Sequence, residues 1–247
     1  MQTICVVVPC YNEAGRLPVG EFLSFLDGNQ HIAFCFVNDG SLDTTRDVLA
    51  ELRRRGPDER VQVVNLERNR GKAEAVRAGV LHALAWRQFD YVGYLDADLA
   101  TPLSELNHLL TYEPGPGRFE VICGSRIRRL GARIERSAVR HVLGRVFATF
   151  ASMVLQLPVY DTQCGAKLIR ADLSARILDQ PFVSRWLFDV EILARTVRLL
   201  GRAQANELIL EVPLRAWKES GKSRIRMRDF LTAPMDLLKI YARYRGH

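Results

Sequence analysis

The feature that most constrains the fold is a repeat of apolar runs and helical stretches across the first 125 residues. Runs rich in β-branched residues occupy 4–8, 32–37, 61–66, 91–95 and 121–123. Helical signals fall between them at 44–54 and 72–87, and Thr101-Pro102 has the form of an N-cap followed by proline at the first helical position. Strands alternating with helices at this spacing predict an α/β fold: a mostly parallel sheet with helices on both faces. The 247 residues suffice for one large core.

In such sheets ligands bind outside the carboxyl ends of the strands. The polar residues collect there: Pro9-Cys10-Tyr11-Asn12-Glu13, Asn38-Asp39-Gly40-Ser41, Asp96-Ala97-Asp98 and Gly124-Ser125-Arg126 each follow a separate apolar run. Asp96 and Asp98 place two carboxylates beside one small volume, where they repel unless a cation lies between them. Oxygen ligands suit Mg²⁺ or Mn²⁺ completed by substrate phosphates. Asp39 can accept hydrogen bonds from a base or ribose, or simply close an Asx turn. Asn69-Arg70-Gly71-Lys72 opens a helix, so its N–H groups and Lys72 can meet an anion, or form a plain helix N-terminus.

The second half is different in character. Residues 126–145 carry seven arginines (126, 128, 129, 133, 136, 140, 145) against one acid, Glu135. A helical period over 134–157 puts Val139, Val142, Leu143, Val146, Phe147, Phe150 and Val154 near one stripe. Arg224, Arg226 and Arg228 precede a second apolar-basic helix over 230–244. Basic amphipathic helices suit a membrane surface, and equally a solvated face docked on the sheet. The net charge of +7 favours acidic or phosphate-bearing partners.

Other chemistries lack their motifs. No GxGxxG follows a strand, and Gly221-Lys222-Ser223 ends like a phosphate-binding loop but has Ala216 where the first glycine belongs. The five histidines form no spaced cluster, and there is no nucleophile elbow. The five cysteines match no zinc or redox spacing and read as buried free thiols of a reducing compartment. The chain starts directly on a strand without a basic leader, and no apolar stretch reaches bilayer-spanning length.

The runs Val7-Val8-Pro9-Cys10-Tyr11-Asn12-Glu13, Val37-Asn38-Asp39-Gly40-Ser41 and Asp96-Ala97-Asp98 together resemble glycosyltransferase family 2 with its GT-A, Rossmann-like fold. Three later segments resemble its dolichyl-phosphate β-glucosyltransferase branch, which is close to the polyprenyl-phosphate mannosyltransferases. They are Asp161-Thr162-Gln163-Cys164-Gly165-Ala166-Lys167-Leu168, Arg185-Trp186-Leu187-Phe188-Asp189-Val190-Glu191 and Trp217-Lys218-Glu219-Ser220-Gly221-Lys222-Ser223.

The resemblance implies one domain over 1–247, with a nucleotide-sugar half (1–125) and an acceptor and membrane-interface half (126–247). It implies inverting transfer of a hexose, glucose first, from a nucleotide diphosphate to a polyprenyl phosphate. Pro9, Tyr11, Glu13, Asp39 and Lys72 would hold the nucleotide. Asp96 and Asp98 would hold Mg²⁺ or Mn²⁺ and the diphosphate, and Lys222 and Ser223 would close over it. Arg126 would touch the phosphates or the acceptor, while Arg136 and Arg140 would grip the lipid phosphate. Asp189 would recognise a sugar hydroxyl, or act as base for a hydroxyl acceptor. The mannosyltransferase branch has Gln where this chain has Ala100, which favours the glucosyl type.

The expected setting is the cytoplasmic face of a membrane, with peripheral attachment, possible oligomerisation and no nucleic acid. Two alternatives stand beside it: a family-2 transferase acting on a saccharide hydroxyl with Asp189 or Glu191 as base, and a non-catalytic basic module binding nucleic acid or acidic lipid.

Overall fold

A computed structural model describes residues 2–113, 115, 117–219 and 227–244, with side chains described except at 138–140 and 227–231. Five strands alternate with four helices in the first half: β1 (Ile4–Cys10), α1 (Val19–Gly28), β2 (Ile32–Asp39), α2 (Thr45–Arg55), β3 (Val61–Leu66), α3 (Lys72–Trp86), β4 (Tyr91–Leu95), α4 (Ser104–Leu110) and β5 (Val121–Ser125). The second half adds β6 (Arg133–Glu135), α5 (Ala138–Leu155), β7 (Ala166–Arg170), α6 (Ala171–Ile177), α7 (Phe188–Leu200), α8 (Arg202–Leu208), β8 (Ile209–Pro213), β9 (Ala216–Lys218) and α9 (Met227–Tyr244).

Seven strands form one sheet in the order β3-β2-β1-β4-β7-β5-β8. All neighbours pair parallel except β7, which runs antiparallel between β4 and β5. The carboxyl ends of six strands therefore share one edge with the amino end of β7. The order reverses between β1 and β4, the place where such sheets open a crevice.

The central strands β2, β1 and β4 are buried on both faces, so they read as apolar runs rather than alternating. Ile4, Val6 and Val8, with Phe34 and Phe36, point into a core capped by α1, α2 and α4. There Phe22 sits edge-on to Phe34 and Phe36 at 5.1 and 5.0 Å, an arrangement that suits the ring quadrupoles. Cys5, Val7, Cys35, Val37, Tyr94 and Cys123 point the other way, under α3 and the helices of the second half. All five cysteines are buried and free.

Three element boundaries differ from expectation. α4 begins at Ser104 rather than at Pro102, because 101–103 form a separate turn in which Pro102 O accepts from Glu105 N–H at 3.0 Å. The helix expected from 134 begins at Ala138, since Arg133–Glu135 pairs parallel with β9. That partner lies some eighty residues away, beyond the reach of any local period. The last helix starts at Met227, earlier than 230, and carries Pro234 inside it.

β4 and β7 approach so closely that a Cβ at Gly93 would collide with the backbone carbonyl of Lys167. Backbone cannot rotate away as a side-chain tip can. Gly93→Ala is therefore expected to destabilise the fold by the upper part of the usual overpacking range, about 1–3 kcal/mol. Urea unfolding monitored by circular dichroism would measure it, and an unchanged midpoint would contradict the packing described.

Candidate active site

The crevice edge is built from short loops that hold one another. Asp39, at the end of β2, accepts from the Arg70 and Gly71 backbone N–H groups at 2.7 and 2.8 Å and from Asn69 Nδ2 at 3.0 Å. Its carboxylate thus shapes the start of α3. Burial pushes its pKa up, with the two backbone donors opposing. Gly40 follows in the left-handed region (φ +60°), and a Cβ there would strike the backbone of Arg68 and Asn69. Pro9, next to last in β1, is in register with Val37, and Tyr11 follows the strand. Glu13 is buried, its side chain 3.0 Å from Arg16 and its N–H donating to Thr45 Oγ1 at 2.7 Å.

On the other side of the crevice, β4 delivers Asp96 and Asp98. Lys72, the first residue of α3, places its ammonium 2.5 Å from Asp96 Oδ1. Burial pulls the Lys72 pKa down, but Asp96 and Asp189 outweigh it and the net shift is upward, so the lysine stays charged. Gly165, just before β7, lies so close that a Cβ would overlap the Asp96 carboxylate. Asp98 Oδ1 accepts from Ala100 N–H at 3.1 Å, and Leu99 between them has φ +50°, a costly conformation for a branched residue. β9 runs beside this loop, with Lys218 N–H donating to Ala100 O at 2.9 Å.

The donor set suits a hard divalent cation. Two carboxylates lie two residues apart, and Asp96 already faces one cation, the Lys72 ammonium. Among the described residues no group of three His, Cys, Asp or Glu converges. A metal held here would take its remaining ligands from diphosphate oxygens and water, the usual Mg²⁺ arrangement.

Two buried ion pairs lie behind the carboxylates. Arg126 meets Asp161 bidentately, at 2.6 Å (Nε–Oδ2) and 2.8 Å (Nη2–Oδ1), and stacks 5.4 Å from the Trp217 ring. Burial alone would raise the Asp161 pKa, but the Arg126 charge and hydrogen bonds hold it at about 2. The guanidinium expected to touch phosphate is thus committed to a carboxylate that spacing did not single out.

The second pair joins Lys167, fully buried, to Asp189 Oδ1 at 2.6 Å, with Tyr94 donating its hydroxyl to the same oxygen. Lys167 Nζ also donates to Thr162 O and Cys164 O at 3.1 and 2.8 Å. Asp189 is not the solvent-facing acid that opens many helices; it is buried at the start of α7. Glu191, the other candidate base, is fully buried and held by Arg195, Tyr244 and the Val183 and Ser184 N–H groups, so it latches α7 and α9 together.

Lys167 and Tyr94 were missed. The available signal was a lysine inside the apolar run 166–169, since a charge in a buried strand needs a partner. Arg185, which opens the segment leading to Asp189, is exposed, beside Gly71 and within the electrostatic reach of Asp39.

Arg136 precedes α5, and its guanidinium lies against Gly144. The Arg140 side chain, Lys222 and Ser223 lie outside the described residues, as do Arg224, Arg226 and the Arg228 side chain. Val142, Leu143, Val146, Phe150 and Met153 on α5 are exposed, and so are Met235 and Leu238 on α9. Phe147 instead turns inward against Trp186, with ring centroids 5.8 Å apart. Among the described residues no helix is long and apolar enough to cross a membrane.

The Arg126–Asp161 pair makes a pH prediction. Because the Asp161 pKa is depressed on folding, its contribution is present above the unfolded value near 4 and is lost as pH falls through about 2. Asp161→Asn is expected to cost about 3–5 kcal/mol at neutral pH, since it strands a buried charge. The gap from wild type should narrow between pH 4 and 2 in denaturant titrations; a gap independent of pH would count against the pairing.

Comparison with known proteins places this geometry in a family. The family model described as glycosyl transferase family 2 matches residues 5–178. Dolichyl-phosphate beta-glucosyltransferases are similar along nearly the whole chain. The Mus musculus protein is 32% identical, covering 91% of this chain and 74% of its own length. The Dictyostelium discoideum protein is 29% identical over 98% and 74%.

Among solved structures, glucosyl-3-phosphoglycerate synthase from Mycobacterium tuberculosis in complex with UDP superposes with a TM-score of 0.68 at 20% identity, covering 98% of this chain and 80% of that one. The same enzyme with Mn²⁺, UDP and glucosyl-3-phosphoglycerate gives 0.69 at 18%, over 98% and 80%. At that identity the likeness concerns the fold. The chain is a member of glycosyltransferase family 2, GT-A in fold, and within it belongs with the dolichyl-phosphate β-glucosyltransferases.

Proposed function

We propose that this glycosyltransferase moves glucose from UDP-glucose to a polyprenyl phosphate at a membrane surface, with inversion at the anomeric carbon. The observation that carries the acceptor is the apolar stripe on α5, exposed to solvent and reached directly from the site along the arginine-rich segment after β5. Phe150 is 58% and Met153 68% exposed, a cost in water that a lipid surface removes. Relatives named for dolichyl phosphate support the same acceptor class. Residues 1–125 serve the donor and 126–247 the acceptor and interface.

Asp39 and the loop it organises, with Pro9, Tyr11 and Glu13, form the nucleotide end. Asp96 and Asp98 hold the divalent metal, which when bound neutralises charge on the diphosphate leaving group. Lys72 adds positive charge at the same carboxylate, and the diphosphate roles of Lys222 and Ser223, outside the described residues, rest on the family resemblance alone. Arg136 and Arg140 orient the acceptor phosphate, which is mostly dianionic at neutral pH and needs positioning more than a base. Its oxygen bonds to the anomeric carbon as the bond to UDP breaks on the opposite face. Arg126, tied to Asp161, contributes field and wall rather than a freely moving contact. Asp189 recognises a hydroxyl of the transferred sugar. Attachment is peripheral, on the cytoplasmic side.

The first experiment is transfer from a panel of UDP- and GDP-sugars to a short polyprenyl phosphate, with Mg²⁺, Mn²⁺ or chelator. Lipid-linked glucose from UDP-glucose is expected, abolished by chelator, and reduced by roughly 10²-fold or more in Asp98→Asn because charge stabilisation of this kind is worth several kcal/mol. Transfer to soluble saccharides, and never to the lipid, would move the acceptor to a hydroxyl.

A second prediction concerns the stripe. Phe150→Asp should weaken co-sedimentation with anionic vesicles by about 10-fold or more, since burying one Phe side chain is worth about 1.5–3 kcal/mol, while UDP-glucose binding is unchanged. Vesicle binding that ignores this substitution would remove α5 from the interface.

A further inference from the structure

Three carboxylates of the second half are buried, and their hydrogen bonding differs in kind. Asp161 has both oxygens engaged: Oδ2 by Arg126 N–H and Nε, Oδ1 by Arg126 Nη2 and Gln163 N–H. Glu191 also has both engaged, Oε1 by Arg195 and Tyr244 and Oε2 by Val183 and Ser184 N–H. These are saturated structural pairs. Asp189 is different, because Lys167 Nζ and the Tyr94 hydroxyl both converge on Oδ1 and no described residue donates to Oδ2. Oδ2 is not sealed off like a fully buried unpartnered atom, and with Oδ1 alone engaged it keeps its acceptor capacity for a ligand.

The two donors are themselves fixed. Tyr94 and Lys167 are direct cross-strand partners on β4 and β7, both aimed into the same core, with Lys167 Nζ 5.7 Å from the Tyr94 ring. Tyr94 lies two residues before Asp96. Lys167 also grips the carbonyls of Thr162 and Cys164, which lead into Gly165 against the Asp96 carboxylate. One fully buried ammonium thus ties the floor of the crevice to the start of α7, where Asp189 sits. Lys72, paired with Asp96, lies 5.7 Å over the ring of Phe188, the residue before Asp189, and is attracted by Asp189 itself. The Asp189 carboxylate therefore lies within electrostatic reach of the lysine that pairs with Asp96.

We infer that Tyr94 and Lys167 are positioning residues that pin Asp189 by Oδ1 so that Oδ2 receives a hydroxyl of the transferred sugar. The inference rests on the reading of Asp189 as a sugar-recognition residue. Neither Tyr94 nor Lys167 touches substrate; both act through the orientation of one carboxylate.

The test compares binding of UDP-glucose with binding of UDP, which lacks the sugar, by calorimetry, alongside transfer to a short polyprenyl phosphate. Lys167→Met strands a buried carboxylate and Asp189→Asn a buried ammonium, so either can endanger the fold, and Tyr94→Phe, which keeps the ring and both charges, carries the experiment. Thermal midpoints serve as the fold control. Wild type, Asp189→Asn, Tyr94→Phe and the double variant complete a cycle.

Tyr94→Phe is expected to lose about 10-fold of the preference for UDP-glucose over UDP and of kcat/KM, in the range of measured coupling between contacting residues, with UDP affinity unchanged. In the Asp189→Asn background it should cost nothing more. An unchanged ratio in Tyr94→Phe, equal loss of UDP and UDP-glucose affinity, or additive losses in the double variant would overturn the positioning role while leaving Asp189 in place. Full transfer by Asp189→Asn would overturn the sugar-recognition reading, and the inference with it.

Discussion

Charge compensation across the crevice edge is the constraint from which the rest of the site follows. Four acidic side chains, Asp96, Asp98, Asp161 and Asp189, gather where six strands end and one begins. Carboxylates that close repel in a medium less polar than water, and burying any of them alone costs several kcal/mol. The molecule answers with a specific cation for three of them: Lys72 for Asp96, Arg126 for Asp161 and Lys167 for Asp189. The deepest pairs are the most completely enclosed. The shallower Lys72–Asp96 pair stays half-exposed, where substrate can reach it.

The antiparallel strand makes this possible. Were β7 parallel to its neighbours, its amino end would lie at the opposite edge, and Thr162 to Gly165 would be a sheet's thickness of chain away from Asp96. Running backwards, β7 brings that loop to the carboxyl ends, and Gly165 presses against Asp96. Cross-strand register then sets Lys167 beside Tyr94. β3, β2, β1 and β4 are a conventional parallel arrangement; the one reversed strand links them to β5 and β8.

The first half of the fold was largely legible in the sequence because its signals are local. Strands buried on both faces read as unbroken apolar runs, and each functional loop follows its own run directly. The second half was less legible for the opposite reason. β6 exists only because β9 pairs with it, and Arg133-Ile134-Glu135 carries no strand signal of its own. The α5 stripe was visible as a period, yet only the fold distinguishes Phe147, packed on Trp186, from Phe150, facing solvent. Pairings such as Arg126 with Asp161 and Lys167 with Asp189 join residues far apart in sequence, so composition named the charges but could not match them.

The Arg126–Asp161 pair also has an architectural consequence. The chain leaves the sheet at Ser125 and returns at Ala166 into the adjacent strand, so β6 and α5 form an excursion whose two ends meet. The ion pair closes that excursion at its neck, like a clasp. A segment tied at its base can change length at small entropic cost, because loop closure depends only weakly on length. What lies beyond the clasp can thus vary in length at its turns, while β6 stays anchored by its pairing with β9 and α5 by Phe147 against Trp186.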